Sequence, residues 1–188
     1  MSLTPPNHII SVFDEKYVSQ QDTKFVLEGG INILNEDGFK VYSCTNELNQ
    51  VVFSDTGKNV LFNMKYNEMK YPIDKITIYS GKTGSNAVAT LIGRFSILSR
   101  KYIIEYIDRE TNKTQVLEMK CDLSCTTGEI YDGKKKEGAP KIGIIKKRKS
   151  ASDKDFSIEV AAKVDQVFMI AIGICVYKLY LNSTHSAM

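Results

Sequence analysis

The sequence predicts a mainly β protein whose antiparallel strands close around a single buried helix. Three observations lead there. Residues Val167–Tyr177 form an apolar run whose only polar side-chain group is a tyrosine hydroxyl; as a helix it has no wet face and needs cover on every side. Between Phe25 and Val160 the apolar stretches are short, rich in β-formers and repeatedly interrupted by turn residues, which is the pattern of a sandwich or barrel. The order, many strands and then one helix, lets the sheet supply the cover that the helix needs.

Taken in order, residues 1–11 read as a flexible tail, loosest over 1–8, and residues 12–182 as one domain. Residues 183–188 form a carboxyl-terminal tail. Strands are expected at Ile31–Leu34, Phe39–Cys44, Val51–Ser54, Val60–Met64, Lys75–Tyr79, Ala87–Ile92, Phe95–Leu98, Tyr102–Ile107, Gln115–Cys121, Lys141–Lys146 and Asp155–Val160. Turn residues separate them: Glu36-Asp37-Gly38, Asp55-Thr56-Gly57, Gly81 to Gly84, Asp108 to Lys113, and Asp132-Gly133. Alternation is cleanest at Phe156, Ile158 and Val160 against Ser157 and Glu159, and at Leu117, Met119 and Cys121 against Val116, Glu118 and Lys120. Each of these strands has one dry face and one wet face.

The helix is read as core, with a membrane span as the rival. Asp165 precedes the run and Lys178 follows it, the placement that a helix dipole favours. The uncharged run is 11 residues long, well short of the ~20 needed to cross a hydrocarbon layer. Widening the window to 161–181 brings in Lys163, Asp165 and Lys178, which are costly in lipid. No transmembrane span is expected. Gly173 costs about 1 kcal/mol relative to alanine in a helix, so a strand or side chain should pack close against it.

At 188 residues and 43% hydrophobic, the chain has the size of one domain with a real core. Its net charge is only +3, but residues 134–149 hold eight bases against Glu137 and so carry +7, leaving −4 for the rest. Cys44, Cys121, Cys125 and Cys175 lack a disulfide-framework spacing, and the first residues show no basic segment followed by an apolar one. The expectation is a reduced, cytoplasmic protein.

Enzyme chemistry has little to stand on. The two histidines, His8 and His185, fall in the expected tails, which argues against a Ser–His or Cys–His pair. Cys121 and Cys125 lack a second pair for zinc. Gly81-Lys82-Thr83 lacks the earlier glycine of a phosphate loop, since position 76 is isoleucine. Asp108, Glu110 and Asp122 lack calcium-loop spacing. No cofactor, metal site or catalytic residue is expected.

Phe13-Asp14-Glu15-Lys16-Tyr17 resembles the opening of the LURP-one-related family. Asp155-Phe156-Ser157-Ile158-Glu159-Val160, with Val164-Asp165 and the run from Val167 to Val176, resembles its closing strand and central helix. Gly38 to Tyr42 and Asn59 to Met64 sit where the family has two further strands. The resemblance spans about Val12 to Leu181; residues 45–58 look like an insertion, and the family's mid-domain tryptophan is missing. It implies the fold of the tubby carboxyl-terminal domain and the phospholipid scramblases: a closed barrel of about twelve strands around one buried helix. It also implies a family known chiefly from plants, with some members linked to pathogen defence.

The basic segment supplies the candidate site, on charge alone: Lys134, Lys135, Lys136, Lys141, Lys146, Lys147, Arg148 and Lys149. Clusters of four to eight bases are worth ~1 kcal/mol each near anionic headgroups. The leading expectation is a monomeric, non-enzymatic barrel that docks on anionic phospholipid or phosphoinositide membranes through this hairpin. The bland reading is a solvated edge with protective lysines. A signalling scaffold with an unidentified protein partner is a third possibility, and a scramblase-like membrane protein a fourth. Nucleic acid ranks last, because the segment lacks interleaved aromatics.

Overall fold

The computed structural model of the chain describes residues 2–47, 49–66, 73–82, 84–94, 98–149 and 154–185. Among them run twelve strands: β1 (Thr23–Glu28), β2 (Asn32–Leu34), β3 (Lys40–Glu47), β4 (Gln50–Asp55), β5 (Val60–Tyr66), β6 (Lys75–Ser80), β7 (Asn86–Arg94), β8 (Arg100–Asp108), β9 (Lys113–Cys121), β10 (Thr127–Tyr131), β11 (Lys141–Lys147) and β12 (Phe156–Val160). One helix, α1 (Gln166–His185), follows them, and single 3-10 turns lie at Glu15–Tyr17 and Lys135–Glu137.

Consecutive strands pair antiparallel, and β1 pairs with β12 from Thr23↔Val160 to Leu27↔Phe156, which closes the barrel. Closure leaves no unpaired sheet edge. Alternation sorts the side chains. Tyr102, Ile104 and Tyr106 of β8, Leu117 and Met119 of β9, and Phe156, Ile158 and Val160 of β12 are buried. Lys101, Glu118, Lys120 and Glu159 take the opposite parity and face outward.

α1 fills the lumen. Every residue from Val167 to Leu179 is buried, as an all-round apolar helix requires. By length and composition Gln166–Thr184 would pass for a membrane span, yet 72% of that window is buried. Glycines set how closely wall and helix approach, Gly173 and Gly143 among them. A Cβ on Gly173 would lie 2.5 Å from Ile158 Cδ1, and one on Gly143 of β11 would lie 2.6 Å from Met169 Sδ. The expected close approach at Gly173 is present.

The helix start is held by Asp165, which is fully buried. Its Oδ1 accepts from Phe168 N at 3.0 Å, as an N-cap does. Its Oδ2 accepts from Val12 N at 3.1 Å and Phe13 N at 2.8 Å. Burial pushes the carboxyl above its ordinary range, and these N–H donors partly offset that.

Several expectations need correction. The tail reading fails at its inner end: Ile10 and Ser11 are fully buried. Ile10 donates to Lys163 O and accepts from Asp165 N, and Arg109 N donates to Ser11 O. These backbone groups satisfy the open end of the barrel, so the chain there is fixed. At the other terminus α1 continues through His185, and Ser183 Oγ donates to Ser124 O at 3.1 Å. β1 and β10 escaped the sequence reading. Of the strand expected at Phe95–Leu98, residues 95–97 lie outside the described residues, and Leu98 lies in a bend before β8. Residues 45–58, read as an insertion, contain the end of β3 and all of β4 and are part of the wall.

Candidate anion-binding surface

β11 decides where the basic segment goes. It begins beside the amino-terminal end of α1, where Ala161 N donates to Ile142 O. It ends beside the carboxyl-terminal half of α1, where Lys147 Nζ lies 4.8 Å from the Tyr180 ring centre. At ~3.3 Å per residue the strand is about 20 Å long. The expected single hairpin patch is therefore split: Lys141 opens β11 near one end, Lys134, Lys135 and Lys136 lie in the loop that reaches Glu129 on the wall, and Lys146, Lys147, Arg148 and Lys149 lie at the other end.

The loop lysines and Lys141 are largely neutralised. Glu129 of β10 accepts from Lys135 Nζ at 2.9 Å, Lys141 Nζ at 2.7 Å and Tyr131 Oη at 2.7 Å. Burial alone would raise this carboxyl; the three donors outweigh burial and hold it at about 2. Lys135 also lies 4.9 Å above the Tyr131 ring. Lys134 pairs with Glu137 at 2.9 Å. Lys136 is exposed and has no carboxylate partner among the described residues. Lys135 and Lys141 mainly fasten the 132–140 loop to the wall, which is a structural task.

Most of the group at the other end stays available. Lys146, Arg148 and Lys149 are exposed, and none has a carboxylate partner among the described residues. The strand order β1-β12-β11-β10-β9-β8-β7 puts three apolar side chains on the same rim. Leu98 is 87% exposed, Leu123 53% and Ile31 51%. Leu123 follows β9 and Leu98 precedes β8, so the bases after β11 lie between Ile31 on one side and Leu123 and Leu98 on the other. Sequence reading missed both leucines. Only the closed strand order brings them beside the bases.

Catalytic groups are sparse among the described residues, and no cluster of three or more His, Cys, Asp or Glu is placed to hold a metal. All four cysteines are free and buried. The Cys121 and Cys125 thiols are coupled: their interaction raises the Cys121 thiol and lowers that of Cys125, which Arg100 Nη1, 3.7 Å from Cys125 Sγ, lowers further. His8 is half exposed and faces Asp132 at 3.7 Å, with no nucleophile described beside it.

The closed twelve-strand barrel, its lumen-filling helix and a family model described as LURP-one-related that matches residues 16–177 agree. The chain belongs to the LURP-one-related family. A crystal structure of a protein from Arabidopsis thaliana is similar in fold, with a TM-score of 0.63 over 88% of this chain and 96% of that one at 13% identity. At that identity the likeness concerns architecture alone. No curated protein matches this chain. Within this LURP-one-related barrel α1 occupies the lumen, so candidate binding surfaces lie outside, on the rims and the wall.

Proposed function

We propose that this LURP-one-related barrel is a non-catalytic, intracellular protein that docks on anionic phospholipid membranes through the rim at the carboxyl-terminal end of α1. One observation carries the reading: Lys146, Arg148 and Lys149, exposed and without a carboxylate partner among the described residues, share that rim with exposed Leu98 and Leu123. Bases near anionic headgroups and apolar side chains in the acyl boundary are the two terms of interfacial binding. The free cysteines fit a reducing compartment. A scramblase-like role would require α1 in lipid, whereas the barrel wall already covers it. The scaffold reading has one feature in its favour, Phe39, which is 69% exposed at the opposite end.

Co-sedimentation with phosphatidylcholine vesicles, with and without phosphatidylserine, tests the proposal. Binding should require the anionic lipid and be lost in the Lys146→Glu, Arg148→Glu, Lys149→Glu triple variant. Binding that ignores lipid charge, or survives that variant, overturns it.

A further inference from the structure

A second feature lies on the outer wall. There the 132–140 loop, fastened to β10 through Lys135 and Glu129, and the outward faces of β8 and β9 border a cleft of about 580 Å³, lined by Lys101, Glu118, Lys120, Lys134, Lys135 and Lys136. Five lysines from three separate stretches of chain line it with one carboxylate; the Lys134 and Lys135 ammonium groups are held by Glu137 and Glu129. We propose that this cleft binds a compact polyphosphate anion, with Lys101 and Lys120 forming its floor and Lys134, Lys135 and Lys136 its side wall.

The sheet itself gives the reason. Lys101 and Lys120 are direct cross-strand partners on the outward face, and like charges in that relationship destabilise a sheet. The acid opposite Lys120 on the next strand is Glu129, but its carboxylate is held by Lys135, Lys141 and Tyr131. Glu118, two residues from Lys120 on the same outward face, is the one carboxylate lining the cleft. The Lys134 ammonium is raised above its ordinary range by Glu137 first and more weakly by Glu118. Lys101, Lys120 and Lys136 are left without a carboxylate partner among the described residues. An unrelieved charge pair beside a basic loop suits an added anion.

The loop is also fixed in advance. The Lys135–Glu129 pair and the stacking of Lys135 on Tyr131 hold the loop in place, so little ordering remains for binding to impose. Lysine ammonium groups act as point charges and suit clustered phosphates without demanding one planar geometry. A lone phosphate reaches one wall of the cleft, whereas a polyphosphate meets both. A soluble inositol polyphosphate and a polyphosphorylated lipid headgroup share this chemistry. Binding in the cleft is independent of membrane docking by the rim.

Calorimetric titration of the full chain with inositol hexakisphosphate and with inorganic triphosphate, at about 0.15 M salt, tests the soluble source. Flotation with vesicles carrying phosphatidylinositol bisphosphate tests the lipid source. Saturable binding in either arm should weaken about 30-fold or more in the Lys101→Glu, Lys120→Glu variant. The Lys146→Glu, Lys149→Glu variant, with the same charge change, should retain soluble binding within about threefold. Lys101→Ala should raise the unfolding midpoint of the ligand-free protein, separating lost binding from lost folding. Equal losses in both double variants, or no binding in either arm, overturn the proposal.

Discussion

Ile158 presses on Gly173: the isoleucine side chain occupies the space that any β-carbon on the glycine would need, at 2.5 Å from Cδ1 and 2.9 Å from Cγ1. The contact joins β12 to the middle of α1 and fixes how deep the helix sits.

Enlarging that glycine should therefore destabilise the protein although it improves helix propensity. Gly173→Ala gains about 1 kcal/mol of propensity but loses about 1–3 kcal/mol to overpacking, and Gly173→Leu should cost more. Chemical denaturation of Gly173→Ala, Ile158→Val and the double variant checks this. The double variant should be more stable than the sum of the singles predicts. Strict additivity would show that the two side chains do not compete for one space.

Asp165→Ala should remove an N-cap and two long-range anchors together, leaving the Val12, Phe13 and Phe168 N–H groups without their acceptor inside the barrel end. The expected cost is about 2–4 kcal/mol, with amide-exchange protection lost first at Val12 and Phe13. A uniform loss of protection over all strands, with no excess at those two amides, would refute the anchoring role.

Glu129 should make the barrel acid-sensitive. Its native carboxyl is held at about 2, against an unfolded value near 4.3. Between these values the unfolded state binds more protons, so stability rises with pH. The Glu129 contribution is whole above about pH 4.5 and is lost as pH falls towards about 2. Glu129→Gln should flatten that limb by about 1 kcal/mol after allowance for solvent screening. Unfolding midpoints measured across the window give the answer, and superimposable acid limbs would remove the clamp from the account.

Leu98→Ser and Leu123→Ser should each weaken vesicle binding several-fold, since each removes an apolar side chain from the acyl boundary. Raising the salt concentration should weaken wild type and leucine variants in parallel, because the basic groups are untouched. If the two serine variants bind as wild type does, the leucines are bystanders.

The frame of the barrel was legible because its inward side chains repeat locally: Phe156, Ile158 and Val160, or Leu117 and Met119, announce a dry face in a few residues. β10 was not, because Gly128 weakens its β signal. That glycine is there for the helix, since a Cβ would lie 3.2 Å from Val176 Cγ2. Ile10 and Ser11 were misplaced because the groups that fix them lie at Arg109, Lys163 and Asp165. The candidate site was half legible. Charge density marked residues 134–149, but only the course of β11 shows that Lys135 and Lys141 are engaged by Glu129 while Lys146, Arg148 and Lys149 stay exposed at the other end. Lys101, Lys120, Leu98 and Leu123 carry no local signal; register and strand order bring them together.

The pairing of β1 with β12 and the late position of α1 bear on how the protein is made. As the chain leaves the ribosome, the wall emerges before the helix that fills it, and β1 waits for a partner more than a hundred residues downstream. Contacts of such separation make folding slow, and unfilled apolar surface invites aggregation meanwhile. Completion of the barrel is thus tied to completion of α1. A nascent chain stalled before Gln166 should be held by chaperones, and release of the last helix should be the event that lets the barrel close.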